Sequence, residues 1–372
     1  MAEPARPWGE LFAFTVDRLS TTVEEMHTAI VRPWFRMAGP AESELRGAYI
    51  SAASGVYRSV RAVASIAGRV TDIVRGGSQT EPTRRSDAVQ AFANAVWGDE
   101  MERRGSSMAI GMGVRDRSGV IVDLDPSSLA EAFPDASGRL VVLLHGLGQT
   151  ERCFSPSGTT PGLAEALASS SFTPVLVRYN SGRAVAVNGR DLSALLEEVV
   201  ARWPVPVTEL ALVGHSMGGL VGRAAIASGR SNAGRWVGTV RHVVTIATPH
   251  AGSPIEKGVE ATFRALMVAP QTRALGGFLA QRSEGIRDLH SGAHLPPTFA
   301  GINLLVIASV MTEDVSHPIG SLFGDLVVTP GSATGGGRVV ANDKTLIGGR
   351  RHHEILADPS IPDRILEWIE PA

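Results

Sequence analysis

The strongest chemical signal in the sequence is one serine in the pentapeptide Gly214-His215-Ser216-Met217-Gly218. An apolar run leads directly into the pentapeptide, and a stretch of small residues typical of a helix follows it. A serine at such a strand-to-helix turn is held in a strained backbone conformation, with its hydroxyl pointing out of the sheet. An ordinary glycine turn with a spectator serine is the alternative. The pattern favours Ser216 as a nucleophile.

A second candidate segment lies upstream, where His145-Gly146-Leu147-Gly148 follows another apolar run. Acyl transfer by a serine creates an oxyanion, which preorganised N–H groups must stabilise. One donor is the amide directly after the nucleophile, which is Met217, and the other comes from a loop after an earlier strand, here Leu147. Taken alone, the tetrapeptide fits a plain turn at a strand end equally well.

A serine hydroxyl needs a base to accept its proton and a carboxylate to orient that base. The expected chain order is serine, acid, histidine. Asp325 lies in a loop directly after a glycine and is a candidate acid, with Asp314 and Asp343 as rivals. The adjacent His352 and His353 are both candidate bases. The residues alone leave both choices open.

Together these segments resemble the α/β-hydrolase family, in particular its lipase and esterase branch. The resemblance extends from about residue 108 to the end of the chain, and four blocks carry it: LLHGLG at 143–148, GHSMGG at 214–219, TPHAGSP at 248–254 and HHEILADP at 352–359. The third block is similar to a segment of triacylglycerol lipases and of hydrolases like the GPI inositol deacylases.

The resemblance implies which of the open candidates act. In the family, the catalytic histidine is followed by any residue, an acidic residue, Leu or Ile, and then Leu, a register that selects His352. The family's acid lies in a loop with the pattern G-D-x-x-V-P, which selects Asp325, although Thr329 separates the valines from Pro330 here. The implied catalytic triad is therefore Ser216, Asp325 and His352.

The elements that must position these residues follow a regular pattern. Short apolar runs alternate with helical stretches, at residues 140–144, 174–177, 210–213, 242–246 and 304–308. Such runs indicate strands buried on both faces of a mostly parallel sheet, and the alternation is typical of doubly wound α/β proteins. Residues 108–114 and 120–124 predict an antiparallel start, residues 331–337 a flexible loop, and residues 362–369 a final helix.

Two further regions flank this core. Residues 1–105 show apolar stripes at helical spacing, the last around Val89, Phe92, Val96 and Trp97, and predict a helical N-terminal region before a catalytic domain over residues 106–372. The catalytic domain, the helices themselves, a second copy or a lipid surface are the alternatives for covering those stripes. The segment at about 251–297 is long for a connection and predicts a helical lid over the serine.

Composition narrows the function further. A net charge of -2 gives no electrostatic case for a nucleic acid partner. Cys153 is the only cysteine, so neither an intrachain disulfide nor a cysteine metal site can form. His290 and His294 have the spacing of a zinc pair on a helix, but Gly292 between them favours a loop. Without a signal-peptide pattern or a long apolar span, we expect a cytoplasmic protein. The chemistry of the triad leads us to expect no metal or organic cofactor.

The sequence therefore predicts an esterase or lipase of the α/β-hydrolase fold, acting on an ester or lipid-like small molecule. The same triad would serve an acyltransferase or a thioesterase, and these remain alternatives. A non-enzymatic lipid-binding or partner-binding module is a further alternative, which the intact set of nucleophile, acid, base and oxyanion loop disfavours. The N-terminal helices are a candidate surface for a homodimer.

Overall fold

The computed structural model describes residues 84–155, 161–252, 283–291, 296 and 298–370, together with Ala13, Phe14, Val16 and Asp17. Within these ranges the apolar runs form strands, which are β1 Gly113–Arg115, β2 Arg139–Leu144, β3 Thr173–Arg178, β4 Glu209–His215, β5 Val240–Ile246, β6 Asn303–Ser309 and β7 Asp343–Ile347. They hydrogen-bond into a seven-stranded sheet of order β1-β3-β2-β4-β5-β6-β7.

The direction of the strands identifies the fold. β1 runs antiparallel to β3, and every other pairing in the sheet is parallel. This order, with one antiparallel strand at the edge and parallel strands after it, is that of the α/β-hydrolase fold. The predicted fold class is therefore confirmed, and with it the mostly parallel sheet.

Helices connect the strands and cover both faces of the sheet. The described α-helices are α1 Arg84–Arg103, α2 Pro126–Ala132, α3 Leu163–Ala168, α4 Val185–Arg202, α5 Met217–Ser231, α6 Glu284–Ser291, α7 Pro318–Phe323, α8 Pro330–Ala333 and α9 Ser360–Ile369, with 3-10 turns at Glu151–Phe154, Arg235–Thr239 and Glu354–Ala357. α2 begins where the Asp125 carboxylate accepts the N–H groups of Ser127 and Ser128, an N-cap that satisfies otherwise unpaired donors.

The core lies in two layers because successive side chains of a buried strand point to opposite faces. On β2, Leu140, Val142 and Leu144 pack in the cluster that contains the buried residues of α4 and α5. Val141 and Leu143 pack in the other cluster, with residues of α3 and α9. The central strands are therefore buried on both faces, as the nearly continuous apolar runs predict.

Several local predictions are wrong in detail. In α1 half of the predicted apolar stripe faces outward, with Val89 51% and Phe92 65% exposed, while the polar Asp87 and Asn94 are buried. Val96 and Trp97 are half-buried. This reversal occurs because the polar side chains have partners in the rest of the molecule. Asp87 binds a buried arginine, and the Asn94 amide donates to the Met108 carbonyl.

The remaining differences concern short elements. Residues 331–333 of the predicted flexible loop lie in α8, which Thr329 caps through its side chain. β7 occupies a segment for which the sequence predicts no strand. The predicted antiparallel start is reduced to β1 and one isolated bridge between Arg115 and Ile121.

Two predicted regions fall largely outside the described residues. The predicted N-terminal helices before residue 84 do so, except for Ala13, Phe14, Val16 and Asp17, which are helical. The lid at 251–297 does so between residues 253 and 282, while its later part contains α6. The domain boundary near residue 105 stays a prediction. No helix in the described part of the chain is long and apolar enough to cross a membrane.

Candidate active site

Ser216 occupies the sharp turn between β4 and α5. Its backbone has φ 52° and ψ −122°, a region that a non-glycine residue adopts only when the surroundings impose it. Glycine is required beside it, because a Cβ on Gly218 would lie 2.0 Å from the Leu144 carbonyl oxygen. On the other side, a Cβ on Gly214 would lie 2.3 Å from the Gly219 nitrogen. The backbone packing thus explains both glycines of the pentapeptide.

The structure brings three of the predicted site residues into one hydrogen-bonded row. His352 Nε2 lies 2.9 Å from Ser216 Oγ, and His352 Nδ1 lies 2.8 Å from Asp325 Oδ2. All three side chains are buried. With the Nδ1 proton directed to the carboxylate, the Nε2 lone pair faces the serine hydroxyl and can accept its proton.

Asp325 is held by the loop between α7 and α8. Its Oδ1 accepts the N–H groups of Val327 at 2.9 Å and Val328 at 2.8 Å, which leaves Oδ2 directed at the histidine. The Asp325 carbonyl also accepts the His352 N–H at 3.1 Å, so acid and base are joined through the backbone as well. These contacts fix the carboxylate before any substrate binds.

The rival acids and the rival base are engaged elsewhere. Asp314 is exposed and accepts from Ser316 next to it, and the Asp343 carboxylate binds Arg364. The His353 ring points toward the loop after β2, where its Nδ1 lies 3.3 Å from Gln149 Nε2. Of the adjacent histidines, only His352 therefore lies against Ser216.

In the loop after β2, the Leu147 N–H lies between two backbone donors that already have acceptors. The Gly146 N–H donates to Gln149 Oε1 at 2.9 Å, and the Gly148 N–H donates to Ser181 Oγ at 3.0 Å. Among the described residues nothing accepts the Leu147 N–H between them. The Met217 N–H is also without an acceptor there, since it belongs to the first turn of α5. The two amides proposed from the sequence are thus both without an acceptor among the described residues.

His215 links the three segments of the site. Its Nδ1 lies 2.9 Å from Gln149 Oε1, and its Nε2 lies 3.0 Å from the His352 carbonyl oxygen. Burial, and next the positive charge that His352 can carry, holds the pKa of His215 well below its ordinary value. A neutral His215 has one N–H and donates to only one of these two oxygens, so it links the site segments without adding a charge.

Sequence reasoning missed Ser181, Gln149 and His215 as parts of this arrangement. The available signal was position, because Ser181 follows the carboxyl end of β3 and that strand pairs with β2. α6 packs on the loop after β3, which contains Ser181, because the Gly285 N–H donates to the Gly182 carbonyl at 3.0 Å. No group of described residues has the composition and spacing to hold a metal ion, and His294 lies outside them.

Fold and site together define an α/β hydrolase. Residues 181–283, which include the serine turn, match a family described as "PGAP1-like alpha/beta domain". The predicted resemblance to this superfamily is thereby confirmed. The match covers less than half of the chain. A search of curated proteins finds no match to the sequence.

Solved structures with a similar fold include a lipase and an esterase. Bacillus licheniformis lipase BlEst2 in its mature form is 17% identical, over 63% of this chain and 93% of that chain, with a TM-score of 0.44. Its propeptide form is 18% identical, over 64% of this chain and 53% of that one, with a TM-score of 0.49. The Pyrococcus furiosus esterase PF2001 is 11% identical, over 69% and 88%, with a TM-score of 0.39. At these values the fold is assigned from strand order alone.

Proposed function

We propose that this protein is a serine hydrolase that cleaves carboxylic esters, an esterase or lipase, through an acyl-enzyme on Ser216. The observation that carries the proposal is the buried row Ser216–His352–Asp325, with contacts of 2.9 Å and 2.8 Å. A nucleophile, a base within hydrogen-bond reach and a third group orienting that base are what acyl transfer needs.

The reaction follows from the positions of the protons. Ser216 Oγ attacks the acyl carbonyl while His352 Nε2 takes the hydroxyl proton, and a tetrahedral intermediate forms. His352 then gives that proton to the leaving alcohol, and the acyl group remains on the serine. A water molecule, activated by the same histidine, attacks the acyl-enzyme and releases the acid. Asp325 stabilises the imidazolium in both steps.

The developing oxyanion requires hydrogen-bond donors that are already in place. We assign this role to the backbone amides of Leu147 and Met217. Their lack of an acceptor among the described residues supports the assignment, because a donor committed to another group would not be available. The Met217 amide also lies at the start of α5, where the helix dipole favours negative charge. Neither the chemistry nor the donor set calls for a metal or an organic cofactor.

The substrate we propose is an ester or lipid-like small molecule. The apolar helical pattern predicted for the lid supports this class, because an apolar cover over the serine suits an acyl chain and excludes water. The size of the acyl chain is the property to be measured.

A fluorophosphonate probe tests the nucleophile, since only an activated serine reacts with it. We expect the wild-type protein to be labelled on the peptide that contains Ser216 and Ser216→Ala to be unlabelled. Ser332→Ala is the matched control, because Ser332 is also buried but its Oγ hydrogen-bonds the backbone of residues 251 and 252. Absence of labelling in the wild type would refute the proposed function and favour a binding module.

A series of chromogenic esters from acetate to palmitate then tests the substrate class. A preference for one range of chain lengths would define the enzyme as an esterase or a lipase. Thioesters of the same acyl groups, and an added acceptor alcohol, distinguish ester hydrolysis from the two alternatives that use the same residues. Faster turnover of the thioester, or transfer to the alcohol in place of water, would contradict ester hydrolysis as the main reaction.

A further inference from the structure

A buried ionic cluster connects α1 to the segments that carry the site. Arg178, the last residue of β3, hydrogen-bonds both oxygens of Glu151, at 2.7 and 2.6 Å, and both oxygens of Asp87, at 3.1 Å each. All three side chains are at most 1% exposed. Burial lowers the pKa of Arg178, but the hydrogen bonds and charges of Glu151 and Asp87 outweigh this effect and raise it. The guanidinium is therefore charged and fully paired.

The two members of the cluster on the hydrolase side, Arg178 and Glu151, lie next to the oxyanion loop, which we define as residues 145–150. Glu151 directly follows that loop and begins the 3-10 turn Glu151–Phe154. Arg178 is three residues before Ser181, whose Oγ accepts the Gly148 N–H at 3.0 Å. The cluster therefore fixes the end of the oxyanion loop. It also fixes β3, the strand that leads to Ser181 and so to the hydrogen bond with Gly148.

α1 approaches the same loop directly. A Cβ on Gly148 would lie 3.6 Å from the Ala95 side chain, which is ordinary contact. Asn180 Nδ2 donates to the Gly98 carbonyl at 2.9 Å, and the Gly182 backbone is so close that a Cβ there would lie 2.0 Å from the Asn94 carbonyl oxygen. Polar and close backbone contacts, at two neighbouring loops, thus attach α1 to the site.

The composition of this attachment is unusual for a helix that only adds stability. Ala93 and Met101 of α1 form a small apolar cluster with Met108, separate from both layers of the sheet core. Burying a charge cluster costs desolvation free energy, and apolar residues of similar volume are often as stabilising. Stability alone therefore does not explain the buried charges. Fixing the geometry of the oxyanion loop does explain them.

We infer that Asp87 is a positioning residue of the active site: with Arg178 and Glu151 it fixes the oxyanion loop so that the Leu147 amide points at the reacting carbonyl. The inference rests on the proposed function. Its physical basis is that oxyanion donors stabilise the transition state only when they are preorganised, so a small displacement of the loop lowers turnover without removing a catalytic group. A part of the N-terminal region would then belong to the active site.

Asp87→Asn tests this with little change of volume, and Glu100→Gln is the matched control. Glu100 lies on the same helix and pairs with Arg103 and Arg104 at the surface. For Asp87→Asn we expect kcat for an ester to fall roughly 10- to 100-fold with KM within about twofold of wild type, because misplacing a group by about 1 Å can cost that much. Glu100→Gln should match the wild type.

A thionoester of the same acid separates positioning from general destabilisation. Its thiocarbonyl sulfur accepts weaker hydrogen bonds than the carbonyl oxygen, so it depends less on the oxyanion donors. The ratio of ester to thionoester turnover should fall about tenfold in Asp87→Asn, the larger part of the loss expected from a misplaced donor. Equal losses on both substrates would overturn the inference, because a smaller folded fraction lowers both rates alike. Ser181→Ala, which removes the acceptor of the Gly148 N–H, should show the same ratio change even if Asp87→Asn folds poorly.

Hydrogen exchange provides a readout that does not depend on activity. In Asp87→Asn, or in Ser181→Ala, we expect faster amide exchange over residues 145–152, with α9 unchanged. Unchanged exchange at the loop together with unchanged kcat would overturn the inference. If the wild type proves inactive toward esters, the proposed function fails, and the exchange data still decide whether Asp87 holds the loop.

Discussion

His352 and His250 are both buried histidines beyond the carboxyl ends of parallel strands, the first after β7 and the second after β5, yet their partners have opposite character. His352 Nδ1 faces the Asp325 carboxylate at 2.8 Å and Nε2 faces Ser216. His250 Nδ1 faces the Arg223 guanidinium at 3.0 Å and Nε2 faces Thr245 Oγ1 at 3.2 Å.

The difference shows that the partner, more than burial, decides what a histidine can do. A guanidinium only donates, so His250 must present a lone pair at Nδ1 and carry its proton at Nε2. Burial, and next the charge of Arg223, lowers the pKa of His250 to about 3. A carboxylate only accepts, so His352 carries its proton at Nδ1 and keeps a free lone pair for the serine. The His250 ring is therefore held neutral. The His352 ring can receive a proton because the Asp325 carboxylate lies beside it.

Replacing each of these two histidines separately should give the largest difference in turnover. We expect His352→Ala to lose at least about a thousandfold in kcat, because removing a triad member usually costs that much or more. His250→Gln should keep turnover within a few-fold of wild type. Steady-state kinetics on one chromogenic ester measures both.

His353→Ala is the matched control for His352→Ala, since its ring faces Gln149 and it should lose little activity. An inactive His353→Ala beside an active His352→Ala would shift the catalytic register by one residue. The fold and the reaction class would survive that result.

Without the Asp325 carboxylate, His352 should resemble His250 in having no negative charge beside its ring. In Asp325→Asn the shape of the side chain is kept, but no negative charge stabilises the imidazolium, and the amide can force the wrong tautomer. We expect kcat to fall by about 10² to 10⁴. Asp314→Asn and Asp343→Asn, which change the rival carboxylates, should stay near wild type. If either of them proves the inactive variant, Asp325 is not the acid.

The neutral buried histidines should make the protein sensitive to acid. Burial lowers the pKa of His145 to about 4, and that of His250 to about 3, while both titrate near 6.5 when unfolded. Below about pH 6.5 the unfolded state therefore binds protons that the folded state refuses, so the free energy of unfolding should fall as pH drops toward 4. The expected loss at pH 4 is roughly 3 kcal/mol for each histidine.

Urea unfolding at pH 7 and pH 4.5 measures this effect. His250→Gln should show a shallower pH dependence than the wild type, because one of the buried neutral histidines is gone. Equal stability at both pH values would mean that these rings are accessible to solvent protons in the folded state.

A smaller effect is expected when the Arg223–His250 contact is broken. His250→Ala leaves the buried guanidinium without one acceptor and should lower the free energy of unfolding at pH 7 by about 1–3 kcal/mol. His250→Gln, whose amide oxygen can still accept from Arg223, should recover part of the loss. Urea denaturation gives both values, and a fully stable His250→Ala would show that the contact contributes nothing.

The parts of the molecule that the sequence predicted are those with a local cause. The five buried strands of the central sheet follow from apolar runs, and the turn at Ser216 follows from glycines that the backbone packing demands. His352 and Asp325 required the resemblance to a family, because each is one of several equivalent residues in its own segment. Their catalytic roles stay predictions.

The parts that were missed depend on partners distant in the chain. The buried face of α1 could not be deduced because Asp87 is buried against Arg152 and Arg178, which lie 65 and 91 residues away. The role of Ser181 depends on the pairing of β3 with β2, which fixes where two loops meet. β7 has exposed polar residues and no apolar run, so no strand signal marks it.

The position of β7 has a consequence for how the protein loses activity. β7 lies at the edge of the sheet, pairs only with β6, and has Asp343, Lys344 and Leu346 on the surface. Asp325 lies before this strand and His352 lies after it, so the proposed acid and base are both attached to the least protected end of the sheet. Local opening of this edge would separate them from Ser216 while the other strands remain paired. In rising urea we therefore expect inactivation to precede the loss of tryptophan fluorescence and to reverse at once on dilution.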